Sequence, residues 1–288
     1  MDPAPPALLA ADLAPGDSAA ADFDWASLRV VRIRRPDHPL LEPVYCRLWR
    51  EFGARGEMET RPVIDARLRG DARGAGDRPA LLYEILAVES GGDVIAVRDH
   101  TAIAPAAHAA GEQPSVIVHL SHLLIEPRWR GSGLSAWLRA FPIQTARECA
   151  AVAGAPHGDR ITLAAEMEHV DGGSHDVIAR LRSYERAGFS KIDPERVPYC
   201  QPDFRPPEVI DRTSVRPVPL ALVIRRVGRE GEAVIRGSEA RAIVAALYTM
   251  YGAHLRPDHM APLWALLDQL PAPDETIALR RPLQWAPQ

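Results

Sequence analysis

The pattern of apolar residues predicts an α/β fold with a mixed (α+β) sheet and a C-terminal helical extension. Three features carry this expectation. Strand-like and helix-like segments interleave over residues 28–226. Within that stretch the segments 80–88 and 94–104 flank the turn "SGGD" and read as a hairpin, so antiparallel pairing accompanies the helix-connected strands. After Arg226 the apolar spacing turns to threes and fours through two helical segments.

The elements follow in order. Residues 1–27 are rich in Ala, Pro and Asp and lack the positive start of a signal peptide, so they are expected to be disordered or loosely draped. "LRVVRIRRP" (28–36) alternates apolar and charged residues, as a half-buried strand does. Leu41, Val44, Tyr45, Leu48, Trp49 and Phe52 repeat at helical spacing, with Gly53 as the stop. Met58 to Leu68 predicts a second short helix, and "RGDARGAGDRP" a loop. After the hairpin and the loop "PAAHAAGEQP", "SVIVHLSHLLIEP" (115–127) reads as a long strand ending at Pro127. A helix follows to about Ala153, interrupted or kinked by Pro142 and stopped by Gly154 and Pro156. Residues 160–170 read as a strand, "DGGSH" as a loop, and "DVIARLRSYERAGF" as a helix ended by Gly188. Strands are expected from Phe189 onward and over 218–226, joined by a Pro-rich connection around "YCQPDFRPPE". The extension, 227–288, holds a helix capped by Ser238 and a second capped by Asp258. Its stripe of Ala242, Ile243, Ala246, Leu247 and Met250, with Leu263, Leu266, Leu267 and Leu270, suits packing on its own domain or a homodimer.

Composition excludes several classes. The chain has 288 residues, 47% hydrophobic content and a net charge of −4, so a bulk electrostatic nucleic-acid binder is not expected. No apolar run reaches the ~18 residues of a membrane span. Cys46, Cys149 and Cys200 are scattered and odd in number, which suits buried small side chains in a reduced, cytoplasmic protein rather than a disulfide framework. Lys191 is the only lysine.

The chemistry concentrates at "IEPRWRGSGLSAWLRAF" (125–141), where a strand feeds a glycine turn and then a helix. The first amides of a helix have no internal partners, their dipoles favour an anion, and glycines let a phosphate approach the backbone. The spacing is not that of a nucleoside-triphosphate loop, since no lysine follows. Nor is it G-x-G-x-x-G, because position 136 is alanine. Leu134, Trp137, Leu138 and Phe141 form the apolar face of the helix behind the turn.

"LLIEPRWRGSGLSAWL" resembles motif A of the GNAT superfamily of acyl-CoA-dependent N-acyltransferases, with Ser135 where the family has glycine or alanine. "SYERAGF" (183–189) resembles that superfamily's motif B, and the resemblance covers roughly residues 29–226. It implies a GNAT-like fold and acetyl-CoA as co-substrate. It implies that Leu123, Leu124 and Ile125 bind the pantetheine arm and that the amides of Gly131, Ser132, Gly133, Leu134, Ser135 and Ala136 surround the pyrophosphate, with charge from Arg128 or Arg130. It implies Tyr184 as the acid that protonates the leaving thiolate.

An attacking amine must lose a proton, so a base is needed. Glu166 and Glu168, two apart on a strand, share a face and are the candidates, with Glu126 a third. The family's asparagine seven residues before the tyrosine is Val177 here, and the loop "HVDGGSHD" is longer than usual. His169, Asp171, His175 and Asp176 match no zinc spacing, and no metal is expected; an acceptor-site loop is the better reading. His254 and His259 read as capping or surface residues. The functional expectation is an N-acetyltransferase acting on a small-molecule amine, with a non-catalytic CoA-ester-binding module as the alternative.

Overall fold

The computed structural model describes residues 3–70, 78–105, 115–154, 160–169 and 175–284. The loops expected at "RGDARGAGDRP", "PAAHAAGEQP" and "DGGSH", and the stop at Pro156, lie wholly or mostly outside them. The architecture is mixed α/β and divides into two compact units. One comprises Met1–Ile161 with Phe204–Pro206, the other Thr162–Asp203 with Pro207–Gln288. Among the described residues no helix is long and apolar enough to cross a membrane.

The first unit contains β1 (Leu28–Ile33), α1 (Leu41–Glu51), α2 (Arg61–Arg69), β2 (Ala80–Ser90), β3 (Asp93–Ala104), β4 (Val116–Ile125) and α3 (Leu134–Val152). The strands pair antiparallel in the order β1-β2-β3-β4. Alternation assigns the two faces. Leu86, Val88 and Ile95 join Leu134, Trp137, Leu138 and Phe141 on the α3 face. Tyr83, Ile85, Ala87 and Val97 join Leu41, Val44 and Leu48 of α1 on the other. A sheet covered on both faces reads as a continuous apolar run, which is why "ALLYEILAV" shows little polar alternation. Pro142 lies inside α3, which continues through it to Val152.

Charge is buried as well as apolar surface. The Glu84 carboxylate accepts from Arg32 Nε at 2.9 Å and from Arg34 Nε, and Thr145 Oγ1 on α3 donates to it. Burial opposes this charge, yet the His100 hydrogen bond and the nearby arginines hold the Glu84 carboxyl well below its ordinary range.

The N-terminal segment, expected to be disordered or loosely draped, carries short ordered turns. Residues Ala10–Asp12 and Pro15–Asp22 form 3-10 turns laid along α3. Asp12 pairs with Arg147 at 2.7 Å, and Asp17 pairs with Arg139 at 2.8 Å. The Trp137 indole donates to the Ala20 carbonyl at 2.7 Å, and the Gln144 amide both donates to and accepts from the Ala7 backbone. Trp25 meets the rings of Trp137 and Phe141 at 6.1 and 5.7 Å. Its low-complexity composition conceals acids and aromatics placed to match arginines and a tryptophan more than a hundred residues away.

The second unit contains β5 (Ile161–Met167), α4 (His175–Arg186), β6 (Ser190–Ile192), β7 (Cys200–Gln201), α5 (Pro207–Thr213), β8 (Val218–Pro219), β9 (Ala221–Arg226), β10 (Val234–Arg236), α6 (Gly237–Gly252), α7 (Pro257–Trp264) and β11 (Thr276–Arg280). Its strands run β5-β9-β6-β11-β10, each neighbouring pair antiparallel. The region 227–288 is therefore not purely helical: it supplies two strands, and β11 pairs directly with β6. The two units divide at Ile161 and Thr162. The expected strand 218–226 is split at Leu220, and the Pro-rich connection contains α5. Neither expected cap holds. The N-caps of α6 and α7 are Arg236 and Arg256, and Ser238 and Asp258 lie inside the first turns. Ile243, Leu247, Met250 and Leu263 are buried within the chain itself.

Candidate active site

In the first unit the motif at 125–136 forms one continuous turn. Ile125 ends β4 opposite Ala96 of β3, with Leu124 opposite Val97 and Leu123 opposite Arg98. Leu123 and Ile125 pack on the α3 face, and Leu124 on the α1 face. Pro127–Trp129 makes a 3-10 turn, and the Arg130 side chain folds back to donate from Nε to the Ile125 carbonyl at 3.2 Å. Gly131 and Gly133 adopt φ values of +78° and +101°, in the left-handed region that favours glycine. Gly133 is the N-cap of α3. A Cβ there would also stand 3.3 Å from the Ala20 methyl, so this glycine is required twice over, by conformation and by the N-terminal segment. At Gly131 a Cβ would meet nothing within 4 Å.

The amides of this turn sort into two groups. Ser132 N–H donates to the Trp129 carbonyl, Leu134 N–H to the Ser132 hydroxyl at 3.3 Å, and Ala136 N–H to the Gly133 carbonyl at 3.0 Å. The amides of Gly131, Gly133 and Ser135 have no acceptor among the described residues. Unpaired amides at a helix N-terminus attract an anion.

The candidate bases are less available than their spacing suggests. Glu126 is held by Arg47, whose Nη1 donates to it at 2.8 Å. In the second unit Glu166 accepts from the Tyr199 hydroxyl at 2.5 Å, the Tyr251 hydroxyl at 3.0 Å and Gln201 Nε2 at 3.1 Å. Burial, and then the Glu166 carboxylate, hold the Tyr199 phenol well above its ordinary range. Glu168 lies one residue beyond the end of β5 and pairs with Arg180 at 3.3 Å, half exposed. Tyr184 sits in α4, 5% exposed, with its ring edge-on to Phe189 at 4.7 Å. His169 and the α4 residues His175 and Asp176 are exposed, and among the described residues they form no group able to hold a metal; Asp171 lies outside those residues.

Sequence reasoning missed a buried triad on the α1 face. His122 of β4 faces Asp99 of β3, with Nδ1 3.0 Å from Oδ1, and Tyr83 of β2 donates to Oδ2 at 3.1 Å. The other ring nitrogen faces the Glu57 carbonyl at 3.0 Å, and Phe52 packs on the ring at 4.7 Å. Burial opposes a charged ring, but Asp99 and the Glu57 carbonyl raise His122 to about 9, while the same pairing lowers Asp99 to about 2. The ring is thus an imidazolium donating from both nitrogens, which ties the loop after α1 to β4. The signal was the "HLSH" within an apolar strand, where a buried histidine demands a partner.

No family model matches the chain, and no curated protein matches it. Solved structures do. A GNAT-family acetyltransferase from Desulfovibrio desulfuricans is 17% identical and aligns over 69% of this chain and 99% of its own, with a TM-score of 0.38. The ribosomal-protein-S18-alanine N-acetyltransferase of Escherichia coli is 13% identical over 69% of this chain and 94% of its own, with a TM-score of 0.35. A GNAT-family acetyltransferase from Elizabethkingia anophelis, solved with acetyl-CoA bound, is 9% identical over 70% of this chain and 99% of its own, with a TM-score of 0.36. Each of these likenesses lies at or below 17% identity and a TM-score of 0.38.

Proposed function

We propose that the chain is an N-acetyltransferase that moves an acetyl group from acetyl-CoA to a primary amine of a small molecule. The observation that carries this is the set of three unpartnered amides, Gly131, Gly133 and Ser135, at the start of α3. They suit the pyrophosphate of CoA, and the end of β4 at Leu123–Ile125 supplies backbone for the pantetheine arm. Arg130 is engaged with the Ile125 carbonyl, so the turn relies on backbone donors more than on a guanidinium.

The reaction joins an amine nitrogen to the thioester carbon and expels the thiolate. A free amine has a pKa of about 10, so a proton must leave nitrogen before attack. A carboxylate takes that proton. Glu168, half exposed, is the better acceptor, because Glu166 already takes three hydrogen bonds. Tyr184 supplies a neutral O–H to the leaving sulfur.

The second reading, a non-catalytic CoA-ester-binding module, draws on the burial of Tyr184 and the engagement of Glu126 and Glu166. One series separates the two. Calorimetric titration with acetyl-CoA is expected to show binding, weakened at least tenfold in Gly131→Ala, whose Cβ enters open space and disturbs only the turn. No binding at several hundred micromolar sinks both readings. Thiol release over a panel of amines is expected above background and slowed at least tenfold in Tyr184→Phe with binding unchanged. Binding without release on any amine favours the module, and full activity in Tyr184→Phe removes that residue from the chemistry.

A further inference from the structure

A second group of chemistry-bearing residues lies in the second unit, where α5 meets the start of α7. Asp211 comes from α5, and Asp258 and His259 from the first turn of α7. The two carboxylates are half exposed or more, but the His259 side chain is only 7% exposed. Among the described residues this is the one group of three whose donor atoms all fall within 4.8 Å of one another. Three strands and a helix separate Asp211 from the other two in the sequence, and His259 reads there as a surface or capping residue.

His259 Nε2 is buried and has no hydrogen-bond partner among the described residues. It points at two carboxylate oxygens, Asp211 Oδ1 at 3.7 Å and Asp258 Oδ2 at 3.9 Å. Those distances are too long for hydrogen bonds, and a buried polar atom ordinarily has a partner. They are the right length for something else. Nitrogen and oxygen ligands each ~2.1 Å from one cation stand roughly 3–4 Å from each other.

We propose that Asp211, Asp258 and His259 form a binding site for a divalent first-row transition-metal ion, held by Asp211 Oδ1, Asp258 Oδ2 and His259 Nε2. One imidazole and two carboxylates suit zinc or cobalt, with water completing the shell. The ion cross-links α5 to α7.

Arg256 sets the affinity. Its guanidinium lies between the same acids, with Nη1 2.9 Å from Asp211 Oδ2, Nη2 2.6 Å from Asp258 Oδ2 and Nε 3.1 Å from Asp258 Oδ1. It leaves Asp211 Oδ1 and His259 Nε2 to the ion but shares Asp258 Oδ2 with it. Two carboxylates against one guanidinium leave one negative charge, which attracts a dication while the guanidinium repels it. Arg256 is therefore a built-in competitor.

The test uses the full chain, stripped with chelator and titrated with Zn²⁺ and Co²⁺ by calorimetry and, for Co²⁺, by visible absorption. One ion per chain is expected, with a raised melting temperature. His259→Gln and Asp211→Asn each weaken binding at least tenfold; Asp211 is half exposed, so its variant retains the fold even if the His259 variant does not. Arg256→Gln strengthens binding about tenfold. The proposal is overturned by absence of stoichiometric binding in the wild type and Arg256→Gln, or by binding that survives both Asp211→Asn and His259→Gln, which marks an adventitious ion only. Weaker binding in Arg256→Gln overturns the competing role of the guanidinium.

Discussion

Gly53 shows how a residue can be placed correctly for the wrong reason. Sequence marks it as a helix stop, and α1 does end just before it. Yet its φ is not in the left-handed region; what forbids a side chain is the Trp49 ring, 2.2 Å from where a Cβ would stand. Gly133 is similar: its conformation was legible from the motif, its contact with Ala20 was not, because that partner lies far off in the chain. His122 makes the sharpest prediction at this scale. Its folded pKa of about 9 lies above its ordinary 6.5, so its contribution to stability is complete below about 6.5 and is lost as pH rises through 9. The partner Asp99, lowered to about 2 from 3.8, contributes above 3.8 and loses its contribution as pH falls through 2. The wild type should therefore lose stability steeply across the alkaline limb in thermal melts, and His122→Gln should be less stable at neutrality but flatter there. An unchanged alkaline slope in the variant would assign the titration elsewhere.

At the scale of elements, the strands and helices with strong periodicity were legible. β2, β3, α1 and α3 announce themselves because each presents a repeating apolar set to a sheet or helix face. What failed were short elements held by distant partners: the 3-10 turns at the N-terminus, α5, β10 and β11. A three-residue strand such as β10 carries no periodicity, and its place is decided by pairing with β11. The candidate site divides in the same way. The glycine turn is local and was readable, whereas the availability of Glu126, Glu166 and Glu168 depends on Arg47, Tyr199, Tyr251 and Arg180, which no spacing connects to them. The N-terminal segment allows a graded test. Asp17 and Arg139 are both buried, so Asp17→Ala should cost about 2–4 kcal/mol by removing one member of a buried ion pair. Asp12→Ala should cost no more than ~1 kcal/mol, because Arg147 is about half exposed. Denaturant midpoints measure both, and equal effects would show that the segment is not held by the buried pair.

For the whole molecule, the C-terminal region is part of a folded unit rather than an appendage. Tyr251 of α6 reaches Glu166 on β5, Tyr248 stacks on Tyr199 at 5.4 Å, and β11 pairs with β6. Truncation after Arg226 should therefore yield an aggregating protein with the β6 edge exposed, read by light scattering. A soluble truncation with unchanged spectra would show the region to be dispensable.

The strand order of that unit also has a consequence for synthesis. β11 lies between β6 and β10, yet it is made after both, at Thr276–Arg280. Its partner β6, at Ser190–Ile192, leaves the ribosome long before it. The four strands of the first unit, by contrast, are complete by Ile125 and α3 by Val152. Folding during translation can assemble those elements early. The second unit's sheet stays open until residue 280 has been made, and a chain cut short before residue 276 has a gap where β11 belongs.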